Sequence, residues 1–303
     1  MSACGAGRFA PSPTSDLHLG NLRTALLAWL FARSTHRHFL LRIEDLDTLR
    51  VRSAAGTAAR QIDDLTSLGL DFDGETRWQS QRLESYQRAI DRLETYPCFC
   101  TRREIAEAAS APHGSGLRPY PGTCRDLTEA ERAKRAETRR PAVRVRAREA
   151  VSVITDAFAG QVSAVVDDFV VMRNDGIPAY NLAVVVDDLD AGVDQVVRGD
   201  DLLDSSPRQA WLADQLGGVA PGYIHVPLAV NSNQVRLAKR DGAVSLAELT
   251  QASVSAAQVL GRIAASLGLA TRNEPVSLDL LLDRFDPDAV PRKPWVVEAD
   301  YCW

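Results

Sequence analysis

A short segment near the amino terminus has the residue types of a phosphate-binding loop. His18-Leu19-Gly20-Asn21 stands between an apolar strand end at Arg8-Phe9-Ala10 and a helical pattern. The first N–H groups of a helix have no partner within it and can hold a phosphate, and Gly20 lets a ligand approach the backbone closely. His18 can donate to a phosphate oxygen, but for the tetrapeptide taken alone a capping histidine beside a turn glycine is the more ordinary reason.

A basic segment much later in the chain has complementary chemistry. Arg236-Leu237-Ala238-Lys239-Arg240 follows Tyr223 to Val230, an apolar stretch that predicts a strand. Lys and Arg bind phosphate oxygens, yet a basic pentapeptide alone is usually a solvated loop. Its role therefore depends on whether the fold brings it to His18.

Four further side chains could hold a metal ion. Cys98, Cys100 and Cys124 supply three thiolates and Tyr120 a phenol, enough for a closed, tetrahedral and hence structural Zn²⁺ site. Buried thiols without metal are the alternative. Disulfides are not expected, because the five cysteines are an odd number in a chain without export features.

The apolar periodicities place these residues on an α/β framework. Apolar side chains recur at helical spacing from Asn21 to Ala32, and Phe39 to Ile43 has the pattern of a buried strand. A strand, loop, helix and strand within about 45 residues form the βαβ unit of a nucleotide-binding sheet. Further helices are predicted at 54–68 and 80–93.

The pattern of residues changes in the stretch from Tyr96 to about Ala191. It contains a charged helix near 128–138, then several short apolar strands, two of them joined at Asn174-Asp175-Gly176. The alternation of predicted strands and helices resumes at Gln195, and the pattern predicts helix again from Leu246. We therefore predict a catalytic sheet in two halves at 1–95 and 192–244, an inserted subdomain at 96–191 that binds the acceptor substrate, and a helical segment at 245–303.

Composition and charge bound the class of protein. Apolar residues make up 45% of the chain and charged residues 25%, as in globular proteins. No apolar run is long enough to cross a bilayer and no secretory signal precedes Arg8, so we expect a cytoplasmic protein without membrane contact. Residues 101–150 hold 12 Lys or Arg against 7 Asp or Glu, whereas 151–204 hold 2 against 11. One face could meet phosphate while another repels it, although ordinary solvated faces would have the same charges.

Longer strings around these residues resemble one enzyme family. The segment from Arg8 to Asn21 resembles the first signature of class I glutamyl-tRNA synthetases, and Arg236 to Arg240 resembles their second. The other matching strings are Leu41-Arg42-Ile43-Glu44-Asp45-Leu46-Asp47, Tyr180-Asn181-Leu182-Ala183-Val184-Val185-Val186-Asp187-Asp188 and Val197-Arg198-Gly199-Asp200-Asp201-Leu202-Leu203. The resemblance implies a Rossmann-type parallel sheet split by a zinc-containing α+β insertion, with a short C-terminal helical segment.

The resemblance also implies roles for individual residues. Those that would line an L-glutamate site are Arg8, Ser12, Glu44, Tyr180 and Arg198. Those that would bind ATP, with Mg²⁺, are His18, Gly20, Asn21, Lys239 and Arg240, and His18 and Lys239 would serve catalysis. Two positions depart from the family pattern: Ser15 replaces a glycine, and Ala238 replaces a serine whose hydroxyl could donate to phosphate.

The Cys-X-Cys and Tyr-X3-Cys pattern at 98–124 resembles the zinc site of one branch, the glutamyl-Q tRNA(Asp) synthetases. These enzymes lack a C-terminal anticodon-binding domain, and only about 60 residues follow Val244 here, fewer than such a domain needs. The resemblance implies ATP-dependent transfer of glutamate to queuosine in the anticodon stem-loop of tRNA(Asp), by a monomer. A truncated synthetase that charges another acceptor and a degenerate relative that only binds ligand or RNA are the alternatives.

Overall fold

The computed structural model describes residues 5–108, 120–237, 244–272 and 274–297. The strands are β1 Ala6–Phe9, β2 His38–Ile43, β3 Arg77–Trp78, β4 Thr95–Cys98, β5 Ala142–Val145, β6 Val151–Asp156, β7 Gly160–Val165, β8 Val170–Met172, β9 Val193–Gly199, β10 Gly222–Val226, β11 Ala229–Val230 and β12 Trp295–Val296. The helices are α1 Leu19–Ser34, α2 Thr48–Ser53, α3 Thr57–Ser67, α4 Leu83–Asp91, α5 Arg102–Ala108, α6 Glu129–Ala136, α7 Tyr180–Asp190, α8 Ser206–Gln215, α9 Leu246–Gln251, α10 Ala256–Ser266 and α11 Leu278–Arg284.

The main sheet determines where a ligand can bind. Within the described residues its seven strands lie in the order β3-β2-β1-β9-β10-β6-β7, and all neighbours are parallel except β6 and β7. The strand order reverses between β1 and β9, which are neighbours in space but far apart in sequence. Open parallel sheets bind ligands outside the carboxyl ends of their strands at such a point. The predicted α/β fold with a Rossmann-type parallel sheet is confirmed.

The stretch predicted as an insertion contributes to two sheets. β4, β5 and β8 form a separate antiparallel sheet, whereas the β6–β7 hairpin joins the main sheet, where Asp156 is the partner of Tyr223 in β10. The boundaries at 96 and 191 stay a prediction. The turn expected at 174–176 follows β8, where the N–H of Gly176 donates to the carbonyl of Arg173 at 3.0 Å. The second strand expected after it is reduced to a single antiparallel bridge between Met172 and Pro178, because α7 begins at Tyr180.

One secondary-structure prediction in this stretch was wrong. The region after 138 was expected to contain only short strands, but residues 180–190 form α7. Its run of three valines favours a strand locally. The helix prevails because Leu182, Ala183 and Val186 are buried in a core that α4 and α8 also line, and this burial outweighs a small difference in propensity.

Helix α1 connects the sheet to the C-terminal helices. Its side chains Leu22, Leu26 and Leu30 are fully buried in a core that includes Ile263 of α10 and Leu281 of α11. The described helices α10 and α11 therefore pack against α1. Among the described residues, every helix is too short or too polar to span a lipid bilayer.

Candidate active site

An open cleft of about 620 Å³ lies at the carboxyl ends of β1 and β9, where the strand order reverses. All predicted ligand-binding residues in the described part of the chain line this cleft, namely Arg8, Ser12, His18, Gly20, Asn21, Glu44, Tyr180 and Arg198. They come from segments up to 190 positions apart in the sequence, and the sheet brings them together. Lys239 and Arg240 lie outside the described residues.

His18 is the N-cap of α1 and also faces the cleft. Its Nδ1 accepts from the N–H groups of Gly20 at 3.1 Å and Asn21 at 3.4 Å, while Asn21 Oδ1 accepts from the N–H of His18 at 3.1 Å. Because Nδ1 accepts, the neutral ring carries its proton on Nε2. Burial, and then the charge of Arg236, lowers the pKa of His18 to about 4. The ring is therefore neutral at pH 7, and its Nε2–H remains a donor for a phosphate oxygen.

Gly20 is required by the position of this ring. A Cβ atom there would lie 3.0 Å from Cε1 of His18 and 3.1 Å from Cβ of Ala229. Both distances are tighter than ordinary van der Waals contact, so a larger residue would displace His18. The sequence left open whether His18 caps the helix or donates to a ligand. In the structure it caps α1 through Nδ1, and its Nε2–H is still able to donate in the cleft.

A buried ion network holds the arginines on one side of the cleft. Asp188 Oδ1 accepts from Arg8 Nε at 3.2 Å and from Arg42 Nη1 at 2.6 Å, and Arg42 Nη2 donates to Glu44 Oε1 at 3.3 Å. Burial opposes the charge on Asp188, but Arg8 and Arg42 hold its pKa below the usual range. Burial raises the pKa of Glu44 despite the same two arginines. A bound ammonium group would favour the ionised form of Glu44.

Two members of this network were in the matched strings without an assigned role. Asp188 and Arg42 contact the cleft residues directly, and the neighbouring Asp187 accepts from Arg82 Nε at 2.6 Å and Tyr86 Oη at 2.9 Å. The sequence signal for these residues is a pair of carboxylates directly after an apolar run. Carboxylates that are buried with such a run need partners, so the pair indicates a buried network. Their partners come from β1, β2 and α4, and sequence alone does not pair them.

Arg198 has different surroundings. This buried guanidinium donates to His225 Nε2 at 3.0 Å, to Ser206 Oγ at 2.7 Å and to the carbonyl of Leu202 at 3.4 Å. All three acceptors are neutral. Its charge is therefore available to an anionic ligand in the cleft, and planar arginine forks suit carboxylates.

Gln61 of α3 fixes the loop between β1 and α1. Its Nε2 donates to the carbonyls of Ser12 at 3.1 Å and Ser15 at 2.7 Å. Ser15 is not among the described residues with positive φ, so the glycine usual in the family is not needed here for backbone reasons. Nothing in the sequence pattern singled out Gln61.

The start of the second basic segment reaches the same cleft. Arg236 and Leu237 line it together with His18, and Arg236 is paired with Asp201, which follows β9. The described start of the second segment therefore lines the same cavity as His18 of the first. Ala238 also lies outside the described residues.

The three cysteines converge beside the small antiparallel sheet. The Sγ atoms of Cys98, Cys100 and Cys124 lie within 4.8 Å of one another. The phenol oxygen of Tyr120 is 3.4 Å from Cys98 Sγ and 3.8 Å from Cys100 Sγ. Cys98, Cys124 and Tyr120 are buried. This donor set fits a closed tetrahedral zinc site, since it offers three sulfur ligands and one oxygen with no open position.

Further donors surround Cys124. Its Sγ accepts from the N–H of Phe99 at 3.5 Å and from Arg135 Nη1 at 3.6 Å. Although burial opposes the thiolate, hydrogen bonds from the N–H of Phe99 and then from Tyr120, Cys100 and Cys98 lower the pKa of Cys124. Burial, and then the neighbouring thiols, raise the pKa of Cys100 to about 12, so the thiolate that binds a metal is favoured at Cys124 and not at Cys100.

The parallel sheet with its order reversal, the histidine at the start of α1 and Arg236 in the same cleft are the features of a class I aminoacyl-tRNA synthetase catalytic domain. The family of tRNA synthetases class I (E and Q), catalytic domain, matches residues 6–296. The chain belongs to this family, in its glutamyl-Q tRNA(Asp) synthetase branch.

Individual relatives agree with this assignment. The chain is 57% identical to the glutamyl-Q tRNA(Asp) synthetase of Nocardia farcinica over 97% of this chain and 93% of that one. It is 55% identical to the enzyme of the same name from Cutibacterium acnes, over 90% and 79%. The solved glutamate tRNA ligase of Elizabethkingia meningosepticum, in complex with its amino acid, has a TM-score of 0.81 at 26% identity, over 98% of this chain and 67% of that one.

Proposed function

We propose that this protein uses ATP to convert L-glutamate into glutamyl-adenylate and transfers the glutamate to the queuosine base in the anticodon loop of tRNA(Asp). The observation that carries the proposal is the single cleft in which two arginines, Glu44 and Tyr180 face His18 and Arg236. Groups of both charge signs suit a ligand with one ammonium and two carboxylates. The names of the relatives support the choice of acceptor.

The first step needs no general base. A carboxylate oxygen of glutamate is already a nucleophile; it attacks the α-phosphate of ATP, and pyrophosphate leaves. Alignment and neutralisation of charge on the phosphates then lower the barrier. His18 Nε2–H would donate to the triphosphate from the side of α1, and Lys239 from the opposite segment. ATP would enter as its magnesium complex.

The glutamate would lie across the two arginines. Arg198, whose described acceptors are neutral, would bind one carboxylate, and Arg8, held by Asp188, would bind the other. Glu44 would accept from the ammonium, with Ser12 and Tyr180 at the edge of the site. In the second step a hydroxyl of the acceptor attacks the acyl carbon and AMP leaves.

The cysteine cluster would hold one zinc ion with Cys98, Cys100, Cys124 and Tyr120 as ligands. The ion would tie residues 98–124 together and stabilise the region that carries the basic helix α6. Lys and Arg side chains of residues 101–150 would contact the phosphates of the anticodon stem-loop. We propose further that the protein acts as a monomer in the cytoplasm, where ATP, glutamate and tRNA are available; the elution volume in size-exclusion chromatography tests the first point.

Two assays test the proposal. Purified protein should exchange labelled pyrophosphate into ATP with glutamate and without tRNA, and no exchange would leave only a ligand-binding protein. Labelled glutamate should then be transferred to tRNA(Asp) that contains queuosine and not to the same tRNA without it.

Nuclease mapping should place the label in the anticodon loop. Label at the 3′ end would instead indicate an ordinary glutamate tRNA ligase, the activity named for the E. meningosepticum structure. Periodate treatment of the tRNA cannot replace this mapping. Periodate oxidises the cis-diol of queuosine as well as that of the terminal ribose, so it does not distinguish the two attachment sites.

A further inference from the structure

A buried chain of hydrogen bonds continues behind Arg198, away from the cleft. Arg198 and His225 are direct register partners on the parallel strands β9 and β10. Arg198 Nε donates to His225 Nε2 at 3.0 Å, and His225 Nδ1 lies 2.7 Å from Asp156 Oδ2. Neither His225 nor Asp156 is among the residues that line the cleft.

Asp156 is held in one orientation. Its Oδ1 accepts from the N–H groups of Phe158 and Ala159, both at 2.8 Å, and its Oδ2 accepts from the N–H of His225 at 3.0 Å as well as from the ring. Burial opposes its charge, but the bonds from His225, Ala159 and Phe158 hold its pKa below the usual range. Asp156 is therefore an ionised carboxylate that can only accept.

The state of His225 follows from its two neighbours. Because Asp156 only accepts, Nδ1 of His225 carries a proton, and because Arg198 only donates, Nε2 must have a lone pair. The ring is thus neutral, with one tautomer selected at both nitrogens. Ser206 Oγ, 2.7 Å from Arg198 Nη2 and 3.2 Å from His225 Nε2, completes the arrangement.

The two arginines of the proposed glutamate site, Arg8 and Arg198, are therefore held differently. Arg8 contacts the carboxylate of Asp188 directly, so part of its charge is already neutralised. An imidazole ring separates Arg198 from Asp156, so its guanidinium is oriented by neutral acceptors. Burial lowers the pKa of Arg198, in keeping with a cation that has no carboxylate in direct contact among the described residues.

We propose that Asp156 and His225 are positioning residues that orient Arg198 for one carboxylate of the substrate while leaving its charge unneutralised. The inference rests on the proposed function, because it takes glutamate as the ligand of Arg198. Neither residue touches the substrate. Asp156 ends β6, so the glutamate site depends on the β6–β7 hairpin as well as on the two strands that form the cleft.

Paired substitutions of His225 test this arrangement. His225→Asn keeps a donor near Asp156 and removes the acceptor for Arg198, whereas the longer amide of His225→Gln can place an oxygen where Nε2 was. Loss of one hydrogen bond to a charged group corresponds to about a tenfold weaker Kd. We expect His225→Asn to weaken L-glutamate binding by about that factor in calorimetry, and His225→Gln to restore at least part of it. The KM for ATP in pyrophosphate exchange should stay within about twofold of wild type, because one substrate is affected.

Ile154→Val is the matched control. It loosens the packing of the same strand two residues before Asp156, so it should lower the melting temperature and leave glutamate binding unchanged. A Kd for glutamate equal to that of wild type in His225→Asn would overturn the proposal. So would an equal loss of affinity for glutamate and for ATP in all three variants. If wild type binds glutamate and His225→Asn binds it equally well, only the positioning role fails; if wild type binds no glutamate, the proposed function fails as well.

Discussion

The residues of this site show how a buried charge is stabilised by partners of opposite charge. Asp188 is buried, yet it pairs with two arginines, Arg8, which lines the cleft, and Arg42, which lies behind it. Removing one partner from a buried ion pair is more destabilising than removing the whole pair, because the remaining charge is left without compensation. The stability of the fold and the geometry of the glutamate site therefore depend on the same carboxylate.

This dependence leads to a prediction for Asp188→Asn. The substitution should lower the free energy of unfolding at pH 7 by about 3 kcal/mol, because Arg8 and Arg42 lose their shared carboxylate. The pKa of Asp188 is lower in the folded chain than in the unfolded one. Its contribution is therefore fully present above the ordinary pKa of about 4 and is lost as the pH falls through the folded value. Urea denaturation of both proteins should accordingly show a difference that shrinks in acid.

Asp190→Asn provides the comparison on the same helix. Its side chain is half exposed and pairs with Arg82 at the protein surface, so the change should cost less than about 1 kcal/mol. Equal destabilisation by the two variants, or a difference that is constant down to pH 2, would show that the Asp188 network is not an ionic one.

At the scale of elements, the small antiparallel sheet depends on its cysteines. Between β4 and α6, the side chains that the structure describes include few buried apolar ones, mainly Tyr96, Phe99 and Tyr120. Small units of this kind usually need a metal or a disulfide for stability. The three cysteines here are free thiols in a common cluster, so a metal ion is the consistent choice.

The protein as isolated should contain about one zinc per chain, measured by atomic emission, since a closed set of four ligands holds one ion. Chelation should release it and open residues 98–124 to limited proteolysis. Cys124→Ser should behave in the same way without chelator, whereas Cys4→Ser should retain both the metal and the resistance to protease. A metal-free preparation with undiminished stability and protease resistance would refute the site.

At the scale of the molecule, the proposed catalysis requires two distant segments to act on one nucleotide. His18 comes from the first half of the sheet and Arg236 from the second, and both line the same cleft. An ATP that bridges them would be held by groups more than 200 positions apart in the chain. This arrangement predicts that a substitution in the second segment blocks chemistry without unfolding the protein.

Lys239→Ala should lower the rate of glutamate-dependent pyrophosphate exchange by at least about 100-fold, the scale of losing one charged group at a transition state. Its melting temperature should match that of wild type. Lys134→Ala, an exposed lysine in α6, is the control for removal of a surface charge and should exchange at the normal rate. Wild-type exchange by the Lys239 variant would exclude this lysine from the mechanism.

The sequence by itself determined the elements and the chemistry that they carry. Apolar periodicity was sufficient for α1, β2, α3 and α4, because local pattern and tertiary burial agree there. The matched strings were sufficient to select Arg8, Ser12, His18, Glu44, Tyr180 and Arg198, which all line one cleft. The candidate metal ligands were selected by spacing and residue type, and the Sγ atoms of the three described cysteines converge.

Only the tertiary structure decided which distant residues contact one another, because a local sequence pattern carries no information on these contacts. The valine run of α7 is helical because its neighbours bury it, and Asp188 meets Arg8 and Arg42 only after the sheet has assembled. The partnership of Asp156 with His225 has the same origin, since β6 and β10 are neighbours only in the folded sheet. A sequence records which groups can ionise, donate or accept, but which of them meet is decided by long-range packing.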